Sequence, residues 1–260
     1  MNSSRYLIYF IWAYTITGLI SWCFMPLYFS ATLCFFLMFA FGNGTVGHRY
    51  FSHNSFTVAP ALHWVMALWV TLSAYSPITY WVVQHRHHHR FVDTEKDVHS
   101  PKNGLVKSFF LWTVDRERIQ SVFDERMSMV NYVRAMRDPA VKFFSDNYLV
   151  INLAWLILLA VIDINLIWAI SAAYVAEQLR LGVLNTVHHI PGLPFNYRNH
   201  PEVTDNSQNN YVLGLLSLGF GWHNNHHKNA SKLILTEHWW EIDLEGYLGW
   251  LLGLTGKKIK

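Results

Sequence analysis

Charged side chains are scarce in this 260-residue chain. Only 14% of the residues are Asp, Glu, Lys or Arg, and 52% are hydrophobic, whereas an average soluble domain is about 25% charged. The net charge of +3 is too small to suggest a nucleic-acid partner, and no basic stripe with interleaved aromatic residues occurs. The composition therefore argues against nucleic-acid binding and against an ordinary soluble domain.

Cysteine and linker sequence are scarce too. The two cysteines, Cys23 and Cys34, fall in apolar stretches, so we expect small buried hydrophobic side chains in a reducing compartment rather than a disulfide. No stretch rich in proline and serine divides the chain. The sequence therefore predicts one domain over residues 1–260.

Apolar runs and aromatic rings, in contrast, are abundant. Twelve Trp, thirteen Tyr and seventeen Phe suit a membrane interface, where such rings gather. A helix rises about 1.5 Å per residue, so about 20 apolar residues cross a hydrocarbon core of roughly 30 Å. We predict an all-α integral membrane protein with four transmembrane helices in two hairpins, at about residues 6–24, 29–46, 147–162 and 166–184.

The distribution of positive charge predicts the orientation of these helices. Of the twenty Lys and Arg residues, all except Arg180 lie in residues 1–5, in 47–146 or after 185. The positive-inside rule makes that side the cytoplasm, so both termini and the polar segments 47–146 and 185–260 are expected there. Arg180 and Glu177 fall inside the last span, where charged side chains usually face the protein interior.

Histidines gather in three clusters. They are His48 and His53, then His85, His88 and His89, and finally His223, His226 and His227. In the second and third clusters the spacing i, i+3, i+4 places the imidazoles on one side of a helix. Imidazole suits first-row transition metals such as iron, zinc and copper. Eight clustered histidines are too many for one ion, so the pattern predicts a two-metal site in a cytosolic helical cap.

The remaining histidines give weaker signals. His63, His200 and His238 stand alone and are expected to be ordinary polar residues, and His87 lies about 100° away from the face of its cluster. Asn185, His188 and His189 lie where the last span ends. That group is either an interfacial polar belt or a further contribution to the metals, and spacing leaves both readings open.

Three further apolar runs, 61–83, 211–220 and 247–254, are not expected to span the membrane. The last two are too short. If 61–83 crossed once, the first two histidine clusters would lie on opposite faces of the bilayer, where no single metal centre could use both. Pro77 also interrupts this run. We predict helices that lie in the interface or dip in and out of the membrane.

The motifs resemble those of the membrane-bound fatty-acyl desaturases, the stearoyl-CoA desaturase type and its bacterial relatives. The three family boxes are similar to His-Arg-Tyr-Phe-Ser-His at 48–53, His-Arg-His-His-His at 85–89 with the acidic tail 93–97, and Gly-Trp-His-Asn-Asn-His-His at 221–227 followed by Trp-Trp-Glu-Ile-Asp at 239–243. The resemblance extends from about residue 42 to residue 244.

The resemblance implies the chemistry of the site. In that family nine histidines hold two irons, which implies that His189 is the ninth ligand and that Asn185 is a water-mediated ligand. It also implies an oxidoreductase that uses dioxygen to introduce a cis double bond, of the delta-9 type, into a long-chain acyl thioester or acyl lipid. Electrons would come from a separate ferredoxin-like protein or haem carrier with its reductase.

Several nearby residues are candidates for supporting roles. The carboxylates Asp93, Glu95, Asp97, Glu241 and Asp243 could accept hydrogen bonds from the imidazole N–H groups and fix each ring's tautomer; the alternative is an ordinary solvated acidic loop. Tyr80 and Trp81 could line the bend of an acyl tunnel or could simply anchor the interface.

Two other functions remain open. A hydroxylase or ketolase with the same histidine boxes would use the same metals but would add oxygen to carbon. A non-catalytic metal-binding membrane protein would hold ions without consuming oxygen. The asparagine–histidine pair at 185 and 189 and the acidic tail favour desaturation over the first alternative, and the second gives no reason for a long acyl tunnel.

Overall fold

The computed structural model describes residues 2–23 and 25–256. This part of the chain is mostly helical, with one pair of two-residue strands, β1 (Asn196–Tyr197) and β2 (Asn209–Asn210), which are antiparallel. The helices are α1 (Asn2–Trp22), α2 (Phe29–Phe41), α3 (Pro60–Leu72), α4 (Ile78–Phe91), α5 (Leu105–Phe109), α6 (Arg116–Asp124), α7 (Arg126–Ala135), α8 (Pro139–Asp146), α9 (Tyr148–Ile162), α10 (Asn165–Val187), α11 (Tyr211–Leu216), α12 (His223–Lys228) and α13 (Leu244–Gly253). The prediction of a mostly helical protein is confirmed.

A π-helix continues α2 directly. It covers Gly42–Ser52, and shorter 3₁₀ turns lie at Met25–Tyr28, Pro101–Asn103 and Leu111–Thr113. π-Helices are rare and occur mostly at functional sites. The sequence analysis did not foresee this one, since nothing in its composition separates it from an α-helix.

Long helices lie at all four places where spans were predicted: α1, α2 with its π-helical extension, α9 and α10. Helices α1 and α2 pack on α10, where the ring of Tyr14 stacks on Tyr174 with centroids 4.3 Å apart. By length and composition, however, only Phe29–Ser52 qualifies as a membrane-spanning helix among the described residues. A second candidate arises if α8 and α9, which meet at a bend of 67°, count as one span.

The apolar run 61–83 is not one helix. It divides into α3 and α4, and the break at residues 73–77 contains Ala74 in a left-handed conformation and Pro77 as the residue before α4. Proline fixes its own φ and disfavours helix in the residue before it. The histidine clusters on either side of this run can therefore reach one site. Helix α11 lies within the predicted interfacial run 211–220, and α13 overlaps 247–254.

Helices α6, α7 and α8 cover α4, the helix that carries the second histidine cluster. Each of the three begins at an acidic cap: Asp115, Glu125 and Asp138 accept hydrogen bonds from backbone N–H groups of the first turn. Such caps satisfy donors that a helix leaves unpaired at its start. This layer buries one side of α4 and leaves its histidine face directed inward.

A network of buried charges joins the π-helix to α10 and α13. The Arg180 guanidinium donates to Glu177 at 2.8 Å and to Glu245 at 2.9 Å, and Arg49 pairs with Asp243 at 2.9 Å. All five side chains are at least nine-tenths buried. The prediction that Glu177 and Arg180 face the protein interior is therefore confirmed.

The carboxylates of this network outnumber its guanidinium groups. Burial raises the pKa of Glu245 to about 7, against the lowering effect of Arg180 and Arg49. The carboxyl group approaches the backbone so closely that a Cβ at Gly44 would lie 2.1 Å from its atoms. Glycine at position 44 therefore permits this contact between α13 and the π-helix.

The prediction for the cysteines is only half right. Cys23 and Cys34 are free, so they form no disulfide, but both are exposed rather than buried. They lie at the end of α1 and on α2, on faces that no other part of the described chain covers. The apolar setting of these residues was correctly recognised, but it did not distinguish the protein core from an outward apolar surface.

Candidate metal centre

The π-helix brings the first two histidines together. Residues five apart lie about 140° apart around an α-helix, which turns about 100° per residue, so His48 and His53 would then point in different directions. In a π-helix the hydrogen bonds run from i+5 to i, and the backbone N–H of His53 donates to the carbonyl of His48 at 3.1 Å. The two rings therefore face the same volume, with centroids 4.8 Å apart.

The other ligand candidates come from three helices. Helix α4 carries His85, His88 and His89, and α12 carries His223, His226 and His227. His189 lies just after the end of α10. The structure brings all nine candidate histidines into one buried cluster, which divides into two groups.

Each of the two helical boxes contributes to both groups. One group is His48, His53, His85, His89 and His226; the other is His88, His189, His223 and His227. The i and i+4 members of the second box face the first group, and its i+3 member, His88, faces the second group. In the third box, His226 at i+3 belongs to the first group, and His223 and His227 at i and i+4 belong to the second. The spacing predicted that the three histidines of a box share one helix face. That face lies along the boundary between the two groups.

Within each group the Nε2 atoms converge. Neighbouring Nε2 atoms lie between 2.7 and 3.1 Å apart: His53 to His85, His85 to His89, His89 to His226 and His226 to His48 in the first group, and His189 and His227 to His223 in the second. The Nε2 of His88 is buried and has no hydrogen-bond partner. Imidazole binds zinc at about 2.0–2.1 Å, so two nitrogens at right angles around such an ion lie about 3 Å apart. The donor set therefore fits two first-row metal ions.

Burial disfavours the charged form of most of these rings. It lowers the pKa of His53 to about 3 and of His227 to about 4, and moves those of His85, His89, His223 and His226 well below their usual range. Burial also opposes the charged form of His88, but Asp97 outweighs it and raises the pKa of that ring. Neutral imidazole is the form that binds a metal.

Carboxylates hold the outer nitrogens of the second group. The Nδ1 of His88 lies 2.9 Å from Asp97, and that of His227 lies 2.8 Å from Asp205. The Nδ1 of His189 lies 3.3 Å from Asp93. The predicted roles of Asp93 and Asp97 therefore agree with their contacts, while Asp205 was missed because it lies in an irregular polar loop without a recognisable motif.

The other three predicted carboxylates do not contact an imidazole of the cluster. Glu95 is exposed. Glu241 accepts hydrogen bonds from Tyr197, Asn199 and Asn225, and Asp243 pairs with Arg49. Their place in the sequence beside the third box was misleading, because the chain folds back after α12 and directs them to the supporting structure.

The histidines that were set aside lie outside both groups. His87 contacts Ser128 and the carbonyl of Lys96, each at 3.0 Å. The Nδ1 of His188 donates to the carbonyl of Gln208 at 3.0 Å. Of the isolated histidines, His63 bonds to Tyr50 and Asp138, His200 lies beside Glu202, and His238 stacks on Trp240. Asn185 is half-buried near the end of α10, and its side chain has no hydrogen-bond partner among the described residues.

One buried histidine beside the centre was not singled out from the sequence. The ring of His99 packs on His88 with centroids 4.1 Å apart, and its Nδ1 lies 4.0 Å from Asp97. The His99 ring also packs on Trp112, with centroids 5.1 Å apart. His99 therefore connects the second group of ligands to the wall of a cavity.

That cavity has a volume of about 580 Å³ and lies between α1, α4 and α6. Its lining is apolar along Leu7, Ile8, Ile11, Ile119 and Phe123, and it also includes Tyr75, Tyr80, Gln84, Trp112, Arg5 and Arg116. Trp81 does not line it: the indole is buried and stacks on the His85 ring with centroids 5.2 Å apart. Tyr80 and Trp81 were the two aromatic candidates for lining an acyl tunnel. Tyr80 lines the cavity, whereas Trp81 packs on His85.

A set of three alanine variants tests the assignment of the ligands. His189→Ala should lose at least half of the bound metal per folded chain, because it removes a donor that converges with His223. His188→Ala and His87→Ala should keep at least 80% of it, because neither ring belongs to a group of converging Nε2 atoms and neither is hydrogen-bonded to a histidine of these groups. Metal per chain is measured by mass spectrometry after size exclusion. Loss of metal from His188→Ala with retention by His189→Ala would shift the assignment by one residue.

Several known proteins have sequences similar to that of this chain. The family model for fatty acid desaturase matches residues 7–243. An icosanoyl-CoA 5-desaturase from Limnanthes douglasii is 30% identical over 86% of this chain, which spans only 63% of that relative. An sn-1 stearoyl-lipid 9-desaturase from Synechocystis sp. is 30% identical over 90% of this chain and 73% of the relative, and a hex-5-enoyl-[acyl-carrier protein] acetylenase from Moorena producens is 27% identical over 80% and 68%. The chain belongs to the fatty acid desaturase family.

Proposed function

We propose that this protein is a di-iron, dioxygen-dependent desaturase that introduces a cis double bond, of the delta-9 type, into a long-chain saturated acyl group. The observation that carries the proposal is the convergence of nine imidazoles in two groups beside an apolar cavity. All-nitrogen donor sets suit iron, and heterologous expression could replace it with zinc because imidazole accepts either ion.

Dioxygen is the oxidant, and bound metals would activate it, because the C–H bonds of a saturated chain have no acidity for a general base to exploit. Two hydrogens leave adjacent methylene groups. Together with two electrons from a donor protein and two protons from water, they reduce one dioxygen to two water molecules. The proposed metal ligands are the nine histidines, with Asn185 acting through water.

The role of the protein is to hold the acyl chain still. A cavity of about 580 Å³ lies in the range of small-molecule sites. Its wall is connected to the histidine groups at two points: Tyr75 packs on Trp81, which stacks on His85, and Trp112 packs on His99, which packs on His88. A chain fixed there would present one pair of carbons to the metals, which would determine the double-bond position.

The acyl carrier and the electron donor are partners of the same site. The relatives named above act on a CoA ester, a lipid and an acyl-carrier protein, so we propose an acyl thioester or acyl lipid for this chain. We also propose that electrons arrive from a separate ferredoxin-like protein or haem carrier.

Expression in a desaturase-deficient host tests the activity. Mass spectrometry of total fatty acids should detect a monounsaturated product that depends on this chain and disappears in the variant His223→Ala. A hydroxylated product would replace the proposal with a hydroxylase. A protein that holds metal but yields neither product under iron-replete conditions would be a metal-binding protein only.

Filling the cavity should abolish the product without disturbing the metals. Ile8 lines the cavity, and Ile8→Trp adds an indole to space that the chain would use. We expect at least a tenfold loss of unsaturated product with unchanged iron per chain. The control is Tyr9→Trp, because Tyr9 is 65% exposed and lies outside the cavity wall. Equal yields from the two variants would place the acyl chain elsewhere.

For the membrane we propose a single domain that crosses four times, at α1, α2, α9 and α10, with the active site and both termini in the cytoplasm. The supporting observations are the four helices in two hairpins and the absence of Lys and Arg from the turns that join them. Protease-sensitive tags at residue 1, near residue 120 and at residue 260 should all be protected in intact cells. Cleavage of the tag near residue 120 from outside would contradict this topology.

A further inference from the structure

The two histidine groups differ in the charges around them. In the four-histidine group, the Nδ1 atoms of two rings are hydrogen-bonded to carboxylates, His88 to Asp97 and His227 to Asp205, and the Nδ1 of His189 lies 3.3 Å from Asp93. All three carboxylates belong to loops that fold over this side of the cluster. This group therefore places up to three negative charges directly behind its ligands.

The five-histidine group has no such partners. Among the described residues, no carboxylate lies within ion-pair distance of His48, His53, His85, His89 or His226. The Nδ1 of His48 is buried without any partner, as is that of His223 in the other group. Two buried guanidinium groups lie near His48: Arg49 follows it in the chain, and Arg180 lies 5.3 Å from the ring of Phe220, which packs on His48 at 4.5 Å.

This difference has a direct effect on metal binding. A carboxylate that accepts the Nδ1 proton holds the lone pair on Nε2 and makes the ligand more basic, and removal of such a partner typically costs about 10–100-fold in metal affinity. It also compensates part of the cation's charge where the dielectric constant is low. A fifth imidazole adds one neutral bond, whereas hydrogen bonds to carboxylates strengthen two of the other group's imidazoles and a third carboxylate lies close to His189.

We infer that the two metal sites are unequal, with the four-histidine site as the tight site and the five-histidine site as the labile site. Asp93, Asp97 and Asp205 act as positioning residues that establish this order. The inference rests on the metal centre of the proposed function but does not depend on the reaction that the centre performs.

Timed removal of iron from the purified full-length protein measures the order directly. Iron-loaded protein is dialysed against EDTA, and iron per chain is followed by mass spectrometry. We expect two phases of about one equivalent each, with the second at least tenfold slower. Loss of both equivalents in one phase would overturn the inference, whereas a starting content near one iron would overturn the proposed dinuclear centre itself.

Variants identify which site corresponds to each phase. His53→Ala should retain the slowly released equivalent and lose the fast one, and His223→Ala should do the reverse. Asp205→Asn keeps the size of the side chain but removes its charge, so it should accelerate the slow phase about tenfold and leave the fast phase unchanged. If Asp205→Asn accelerates only the fast phase, the order of the two sites is wrong.

The matched control is Glu202→Gln, which lies in the same loop but is exposed and pairs with Lys228. Both phases should be unchanged in it. Thermal unfolding of each variant verifies that it folds, and if Asp205→Asn does not, Asp97→Asn replaces it with the same expected result. Two irons released at different rates, without an unsaturated product, would support this inference and contradict the proposed desaturase. An unsaturated product from a protein that releases both irons at the same rate would support the desaturase and contradict this inference.

Discussion

The convergence of nine imidazole rings in one buried volume is the constraint on which the rest of the structure depends. Nitrogen lone pairs about 3 Å apart repel one another, and imidazolium ions in their place would repel more strongly. Bound cations would relieve this repulsion, and contacts from the surrounding chain hold rings of the cluster from outside. The acidic loops, the layer of α6–α8 and the π-helix all supply that support.

The buried charge network is the part of this support nearest the membrane helices. Arg49, one residue after a ligand, is held by Asp243, and Arg180 joins α10 to Glu245 on α13. Breaking a buried pair by removing one partner typically costs about 3–5 kcal/mol, because it leaves a charge unpaired in a low-dielectric interior. The network thus makes the position of the first box depend on segments that are about 130 and 200 residues away in the chain.

The centre and the cavity meet through aromatic rings rather than through open space. Trp81 covers His85 of one group, and Trp112 lies against His99 beside His88 of the other. Tyr75, which packs on Trp81, and Trp112 both line the cavity, so each histidine group is connected to the cavity wall through two packed rings.

Spacing and composition alone predicted the helical architecture, the places of the four long helices and eight of the clustered histidines, because a helix converts sequence spacing directly into shared faces. Family resemblance added His189 and distinguished it from His188. Tertiary structure alone decided how the boxes divide between two groups, since that depends on how α4 and α12 face each other across the cluster. It also decided that Asp205 and not Glu241 lies behind a ligand, and that a π-helix turns His48 and His53 to one side. These features arise from contacts between residues far apart in the chain, and no local pattern encodes them.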